Sequence, residues 1–310
     1  MESGNSESQK DLVSRINRLK KEKNAVVLVH FYQSPEIYQV ADFLGDSYEL
    51  SYEASRTKAD IIIFGGVHFM AESASILNPD KKVILPAVSA GCPMAETADA
   101  VAVQELRGRH PDAAVVSYMN TTAEVKAISD IICTSSNAVK IVNSIPQKKI
   151  IFVPDKNLGS WVAKQSDKEI IPWKGYCYVH TKFPVEELRK AKEHLPAAKV
   201  VVHPECPEEV RELADHVCST SGMVKYVAGS DAIEFIIGTE TGMVEYLKMK
   251  FPQKRFYSVP PGSTCMTMKK NRLELVLEAL QSEKPEIRVS DEIRINARKA
   301  LQRMIEVTQS

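Results

Sequence analysis

The chain carries no excess of either charge. Its 40 basic residues face 40 acidic ones, so no field would gather a nucleic-acid backbone or an anionic membrane surface. Long apolar runs are missing too. Stretches such as residues 25–29 and 61–64 fall far short of the roughly 20 residues that a membrane-spanning helix needs. The first 24 residues are polar and lack the apolar core of a secretory signal, which implies a cytoplasmic protein whose residues up to Ser8 are disordered. Closely spaced cysteine pairs are absent, as is a CxxxCxxC run, so the usual spacing of a zinc site and of radical enzymes is not there. What is present is 310 residues, 44% hydrophobic and 26% charged, the composition of a globular protein whose partner is a small molecule.

A threefold internal repeat sets the organisation. Three β-rich runs end in polar residues: Ala25-Val-Val-Leu-Val-His-Phe-Tyr32, Ala114-Val-Val-Ser-Tyr-Met-Asn120 and Lys199-Val-Val-Val-His-Pro-Glu205. A second strand is expected at Ala59-Asp-Ile-Ile-Ile, Ser129-Asp-Ile-Ile-Cys and Ala214-Asp-His-Val-Cys, each followed by a Gly, Ser or Thr cluster. On this alignment the first unit carries an 18-residue insertion containing Gly45-Asp46-Ser47, and Phe64 or Ile63 stands where Cys133 and Cys218 stand. A third strand and a loop then lead to one cysteine per unit, Cys92, Cys177 and Cys265, spaced by 85 and 88 positions.

Helical patterns at residues 184–195 and 243–249 separate the strands, and strands alternating with helices imply parallel sheets. The expected fold is α/β, with three pseudo-symmetric αβα repeats, at residues 1–92, 93–178 and 179–265, built on small parallel sheets around a central site. Two amphipathic helices, residues 273–280 and 290–307, lie in a C-terminal segment, 266–310, expected to pack on the first repeat.

In parallel sheets the ligand site lies beyond the carboxyl ends of the strands, where each repeat puts its cysteine. Three converging thiolates suit a [4Fe-4S] cluster with one iron lacking a protein ligand and able to act as a Lewis acid; zinc and plain burial are the alternatives. Cys133 and Cys218 read as buried, and Cys206, next to Glu205, lies near the site without a matching copy in the other repeats. The first strands end in three pairs two residues apart, His30 with Tyr32, Tyr118 with Asn120 and His203 with Glu205, each able to share one face. Ser135 and Thr220, in the hydroxyl clusters, offer an anion site at helix N-termini.

Nine motifs in order, among them His30-Phe-Tyr-Gln33, Gly45-Asp-Ser47, Gly91-Cys-Pro-Met-Ala95, Tyr118-Met-Asn-Thr121, Gly175-Tyr-Cys-Tyr-Val-His180, His203-Pro-Glu-Cys206 and Cys265-Met-Thr-Met-Lys269, make the chain resemble the quinolinate synthase family over residues 11–307. The resemblance is to the shorter, three-cysteine members. It implies a transferase of NAD biosynthesis that condenses iminoaspartate with dihydroxyacetone phosphate to quinolinate, phosphate and water, fed by an upstream enzyme that makes the imine. It implies one [4Fe-4S] cluster per chain on Cys92, Cys177 and Cys265, with one iron left open. The dicarboxylate would be held by His30, Ser47, Tyr118, Asn120, Ser135, His203, Glu205 and Thr220. Glu205 is the expected base, Tyr32 its acid partner, and His30 and His203 the further catalytic groups. Phe31 stands where the family more often has Tyr. The rival expectations are another three-cysteine open-iron enzyme, of the reductive dehydroxylase type, and a cluster sensor without turnover.

Overall fold

Runs of Val and Ile fold as short strands because β-branched side chains, stiff at χ1, pack well on a sheet covered by helices. A computed structural model of the chain describes residues 3–260 and 262–310, with side chains from Gln9 onward. Among the described residues, twelve strands make three four-stranded sheets of one strand order, and every pairing is parallel. The first sheet holds β1 (Ala25–His30), β2 (Phe43–Gly45), β3 (Ile61–Gly65) and β4 (Lys82–Ile84) in the order β2-β1-β3-β4. The second holds β5 (Ala113–Tyr118), β6 (Ile131–Cys133), β7 (Lys149–Val153) and β8 (Glu169–Pro172), ordered β6-β5-β7-β8. The third holds β9 (Lys199–Val202), β10 (His216–Val217), β11 (Glu234–Gly238) and β12 (Arg255–Ser258), ordered β10-β9-β11-β12. This is the expected α/β class with three repeats.

The strand alignment inside the repeats differs from the sequence expectation. In each sheet one Asp closes the first strand against the second, its side chain accepting a backbone N–H while its own N–H returns to the same residue. Val27 N–H donates to Asp42 Oδ2 at 2.8 Å, Val115 N–H to Asp130 Oδ2 at 2.7 Å and Val200 N–H to Asp215 Oδ2 at 2.8 Å. The partner of Asp130 and Asp215 is therefore Asp42 and not Asp60. His30 to Asp42, Tyr118 to Asp130 and His203 to Asp215 each span 12 positions, so the first repeat has no insertion. Ile61–Gly65 is a third strand, equivalent to β7 and β11, and the strands expected third are the fourth. Gly45, not Phe64 or Ile63, stands where Cys133 and Cys218 stand.

The chain divides into two compact units, Met1–Cys92 with Met266–Arg294, and Pro93–Cys265 with Ile295–Ser310. The first holds one sheet. In it the N-terminal helix Ser3–Glu22 begins within the stretch expected to be disordered, with no Pro or Gly after Gly4 to stop it; Met1 and Glu2 lie outside the described residues. Its buried Lys20 pairs with Asp42 at 2.8 Å, and Ile16 is fully buried.

The second unit holds two sheets, with cores around Val103, Val115, Val125 and Ile151 and around Val200, Val202, Val210 and Ile236. Each such side chain contributes about 1.5–3 kcal/mol of burial. The C-terminal helices Leu273–Ser282 and Asp291–Gln309 form as expected; the first and the start of the second lie in the first unit, and from Ile295 onward the last helix lies in the second unit. There Asn137 Nδ2 donates to Thr308 Oγ1 at 2.9 Å, a tie that the amphipathic pattern alone does not announce. Among the described residues no helix is long and apolar enough to cross a membrane.

Candidate active site

In the second unit the ends of β5 and β9 bring four of the expected residues together. The Tyr118 hydroxyl donates to Glu205 Oε1 at 2.5 Å, and His203 Nε2 lies 3.1 Å from Ser135 Oγ. Tyr118, His203 and Glu205 are all buried. In the first and third repeats the loop after the first strand is folded by the same contact. Glu205 N–H donates to His203 Nδ1 at 3.3 Å, as Tyr32 N–H does to His30 Nδ1 at 3.1 Å in the first unit. An imidazole that accepts at Nδ1 carries its proton on Nε2, so both rings present an N–H outward. Asn120 Oδ1 is buried without a hydrogen-bond partner, an acceptor left open to a ligand donor.

Sequence reasoning missed His180, which the geometry places at the centre. Its Nδ1 lies 2.8 Å from Glu205 Oε2 and its Nε2 2.8 Å from Thr239 Oγ1, while its ring stacks on His203 with centroids 4.6 Å apart. The signal was in hand, since His180 closes the motif that begins at Gly175. Burial alone would push the Glu205 carboxyl up, but the imidazoles of His180 and His203 beside it, with hydrogen bonds from His180 and Tyr118, bring it below the ordinary carboxylate range. Glu205 is thus a carboxylate throughout the neutral range. Its buried neighbour Asp155 is shifted the other way, upward, through desolvation and then the charge of Glu205.

Asp155 was also missed, because it reads as an ordinary N-cap. Its Oδ1 accepts Leu158 N–H at 2.7 Å at the head of helix Lys156–Lys164, and its Oδ2 accepts Cys177 N–H at 3.1 Å. Glu240 does the same in the third repeat: Oε2 accepts Gly242 N–H at 2.6 Å at the head of helix Thr241–Lys250, and Oε1 accepts Cys265 N–H at 3.1 Å. Each carboxylate clips a cysteine loop to a helix start. Backbone also crowds the first of these loops, where a Cβ on Gly175 would lie 2.6 Å from Pro154 O.

Cys177 and Cys265 are half-buried, as is Cys92 in the first unit, and so, against expectation, is Cys218; Cys133 and Cys206 are buried, which raises their thiols strongly, and desolvation raises that of Cys218 to about 12. Cys92, Cys177 and Cys265, one per repeat, form a thiol donor set whose chemistry fits an iron–sulfur group. Cys177, His180 and Glu205 also offer ligand atoms within 4.8 Å of one another, but both Glu205 oxygens are already engaged, by Tyr118 and His180.

The expected hydroxyls fall at equivalent places. Ser47 and Thr220 open the helices Ser47–Arg56 and Thr220–Gly229, and Ser135 precedes helix Ala138–Ser144. Ser47, rather than Gly65-Gly66, is the counterpart of Ser135 and Thr220. In the second unit Ser135 lines a cavity of about 260 Å³ with Trp161, Cys218, Ser219 and Lys225. In the first unit the rings of His30 and Tyr32 meet edge to face at 4.6 Å, and Lys269 Nζ donates to Tyr32 O at 2.5 Å, tying the first strand end to the Cys265-Met-Thr-Met-Lys269 motif.

The family model described as quinolinate synthetase A protein matches residues 14–306. The chain is 48% identical to quinolinate synthase 2 of Methanosarcina acetivorans over 308 residues, 99% of each chain. It is 50% identical to the quinolinate synthase of Methanoregula boonei (95% of this chain, 97% of the relative) and 51% identical to that of Thermodesulfovibrio yellowstonii (94% and 97%). Since model and relatives cover nearly all of it, the chain belongs to the quinolinate synthase A family.

Proposed function

We infer that the chain condenses iminoaspartate with dihydroxyacetone phosphate to give quinolinate, inorganic phosphate and water. The observation that carries this reading is the buried Tyr118–Glu205–His180 network at the strand ends of a chain in this family. Cys92, Cys177 and Cys265 are the residues that would hold an iron–sulfur cluster. When bound, a [4Fe-4S] cluster with one iron free of protein ligands supplies a Lewis acid for substrate oxygens.

The chain's own groups supply positioning and proton transfer. A hydrogen bond to a charged group is worth about 1.5–3 kcal/mol, so the short Tyr118–Glu205 contact holds the phenol in one orientation. With Glu205 ionised, the Tyr118 proton can pass to Oε1 as the phenolic oxygen takes a proton from substrate carbon or nitrogen. His180, beside the other oxygen, steadies the charge and is itself held in place by Thr239 Oγ1 at its Nε2. This makes Tyr118, in place of Tyr32, the acid partner that Glu205 touches. His203 Nε2–H with Ser135 and Thr220 offers donors to a carboxylate, and the open Asn120 Oδ1 offers an acceptor to an imine or amine N–H. Tyr32, His30 and Ser47 supply the first unit's share of substrate contacts. The imine comes from an upstream aspartate-oxidising enzyme, in a reducing cytoplasm where six cysteines stay thiols.

The test is anaerobic purification with iron and sulfide counts, followed by chromatographic assay of quinolinate from oxaloacetate, ammonia and dihydroxyacetone phosphate. About four irons per chain and product formation are expected. A fully loaded protein that makes no quinolinate would overturn the reading.

A further inference from the structure

Six positions beyond each second site residue stands a buried donor: Tyr38 after Tyr32, Lys126 after Asn120 and Arg211 after Glu205. All three sit on the short helix that follows the strand-end loop, Pro35–Tyr38, Ala123–Ala127 and Glu208–Glu212. Their side chains differ completely, yet each turns back onto carbonyls of the same loop. Tyr38 Oη donates to Phe31 O at 2.7 Å and to Gln33 O at 3.0 Å. Lys126 Nζ donates to Thr121 O, and Thr121 Oγ1 in turn donates to Tyr118 O at 3.0 Å. Arg211 Nη1 donates to Pro204 O at 3.2 Å and to Asn157 O at 2.6 Å, while Asn157 Nδ2 donates to Glu205 O at 3.0 Å.

A solvated surface would accept Lys and Arg at almost no cost, whereas Lys126 is 0% and Arg211 5% exposed. Burying a cation is expensive unless it is bonded, so its place here reflects a task. The strand-end loops pass from strand to helix with carbonyls that no ladder satisfies, and those carbonyls must find donors. A phenol, an ammonium and a guanidinium filling one repeat position have donation in common, and charge is not what they share.

We propose that Tyr38, Lys126 and Arg211 are positioning residues, one per repeat, that lock the strand-end loops and so aim Tyr32, the Tyr118–Asn120 pair and Glu205. The proposal rests on the functional reading above only for its activity readouts. The loops, residues 31–34, 119–122 and 203–207, are short connections between a strand and a helix, so an unlocked loop shifts its side chains by about an ångström or less. A misplacement of that size costs up to about 10²-fold in rate.

The experiment compares Tyr38→Phe, Arg211→Lys, Arg211→Met, Tyr118→Phe and the double variant Arg211→Met/Tyr118→Phe, with folded fraction and iron content matched. Tyr38→Phe should lower kcat about 10-fold and Arg211→Met about 10²-fold, with KM within about threefold, and Arg211→Lys should recover part of the loss. Because Arg211 acts through the Tyr118–Glu205 bond, the double variant should fall little below Tyr118→Phe alone. Fully multiplicative losses, or unchanged kcat per folded molecule, would overturn the proposal. Hydrogen–deuterium exchange on the metal-free protein gives a readout independent of the reaction: amides of residues 31–34 should exchange at least about 10-fold faster in Tyr38→Phe, and those of Glu205 and Cys206 in Arg211→Lys. Unchanged exchange sinks the proposal even if the wild type makes no quinolinate. If Arg211→Met does not fold, Tyr38→Phe and Arg211→Lys decide.

Discussion

The loop that ends in Cys92 and the loops that end in Cys177 and Cys265 present the same thiol but are held by different means. In the second and third repeats a single buried carboxylate, Asp155 or Glu240, caps a helix with one oxygen and grips the cysteine amide with the other. At the matching place in the first repeat stands Val67, which caps its helix without any side-chain bond. That loop relies instead on the C-terminal segment: Asn271 Nδ2 donates to Gly66 O at 2.8 Å, Asn271 Oδ1 accepts Ala87 N–H at 3.4 Å, and Lys270 Nζ donates to Ser89 O at 2.6 Å. Two repeats carry their support within themselves and one borrows it. A repeated frame can thus keep its thiols while exchanging what steadies them.

The sharpest way to break this comparison is to remove the thiols themselves. Cys92→Ala, Cys177→Ala or Cys265→Ala should each abolish the visible iron–sulfur absorbance and with it the activity, while Cys133→Ala, Cys206→Ala and Cys218→Ala keep both. Four irons per chain in Cys177→Ala would defeat the equivalence of the three loops.

Next in size is the chemistry that only the second unit carries. Glu205→Gln keeps the shape and one acceptor but cannot take a proton from Tyr118, so turnover should drop by roughly 10² or more with the metal content intact. Ser135→Ala and Thr220→Ala should instead raise KM. Steady-state kinetics at matched iron content separates the two outcomes, and a Glu205→Gln enzyme of normal turnover would move the base elsewhere.

Third come the clips. Glu240→Ala should speed amide exchange at Cys265 in the metal-free protein by about 10-fold and cost about 0.5–2 kcal/mol through the lost cap, and Asp155→Ala should do the same at Cys177. Val67→Ala should leave exchange at Cys92 unchanged, whereas Asn271→Ala should raise it. Equal responses in all three repeats would erase the distinction.

The smallest effect belongs to the ion triad of the first unit, where Lys23, at 2.6 Å, and Lys82 bond to Glu283 and hold its carboxyl at about 2. With the folded value depressed below the ordinary 4.5, this contribution is complete above pH 4.5 and lost as pH falls through about 2. The site is partly exposed, so Glu283→Gln should lower the melting point by only about 1–2 °C at neutral pH, and by less in high salt. Calorimetry at two salt concentrations checks it.

Much of this was legible in the chain before any coordinates. The cysteine intervals revealed the repeat because a ligand loop must return at a fixed place on each sheet, and the His, Tyr, Asn and Glu pairs stood out at strand ends for the same reason. The second strand of the first repeat was not legible. Phe43–Gly45 is three residues long, and the Ala59-Asp60 step before Ile61 offered a stronger apolar run that imitated the true Ala41-Asp42 step. Only the backbone bonds of Asp42 distinguish the two. Asp155, Glu240 and His180 escaped because a cap or a buried ring has no pattern of its own until the loop it meets has been placed.

The constant interval from the first strand's end to the clasping Asp bears on how such a chain can vary. β1, β5 and β9 are bonded on both flanks, so a one-residue slip would break two ladders at once and turn every side chain to the opposite face. An insertion between His30 and Asp42, Tyr118 and Asp130, or His203 and Asp215 would also draw the Asp away from the amide it holds. Length polymorphism among descendants of this sequence should therefore collect in the segments that follow β4, β8 and β12 and spare these three stretches, which act as rulers cut to one length.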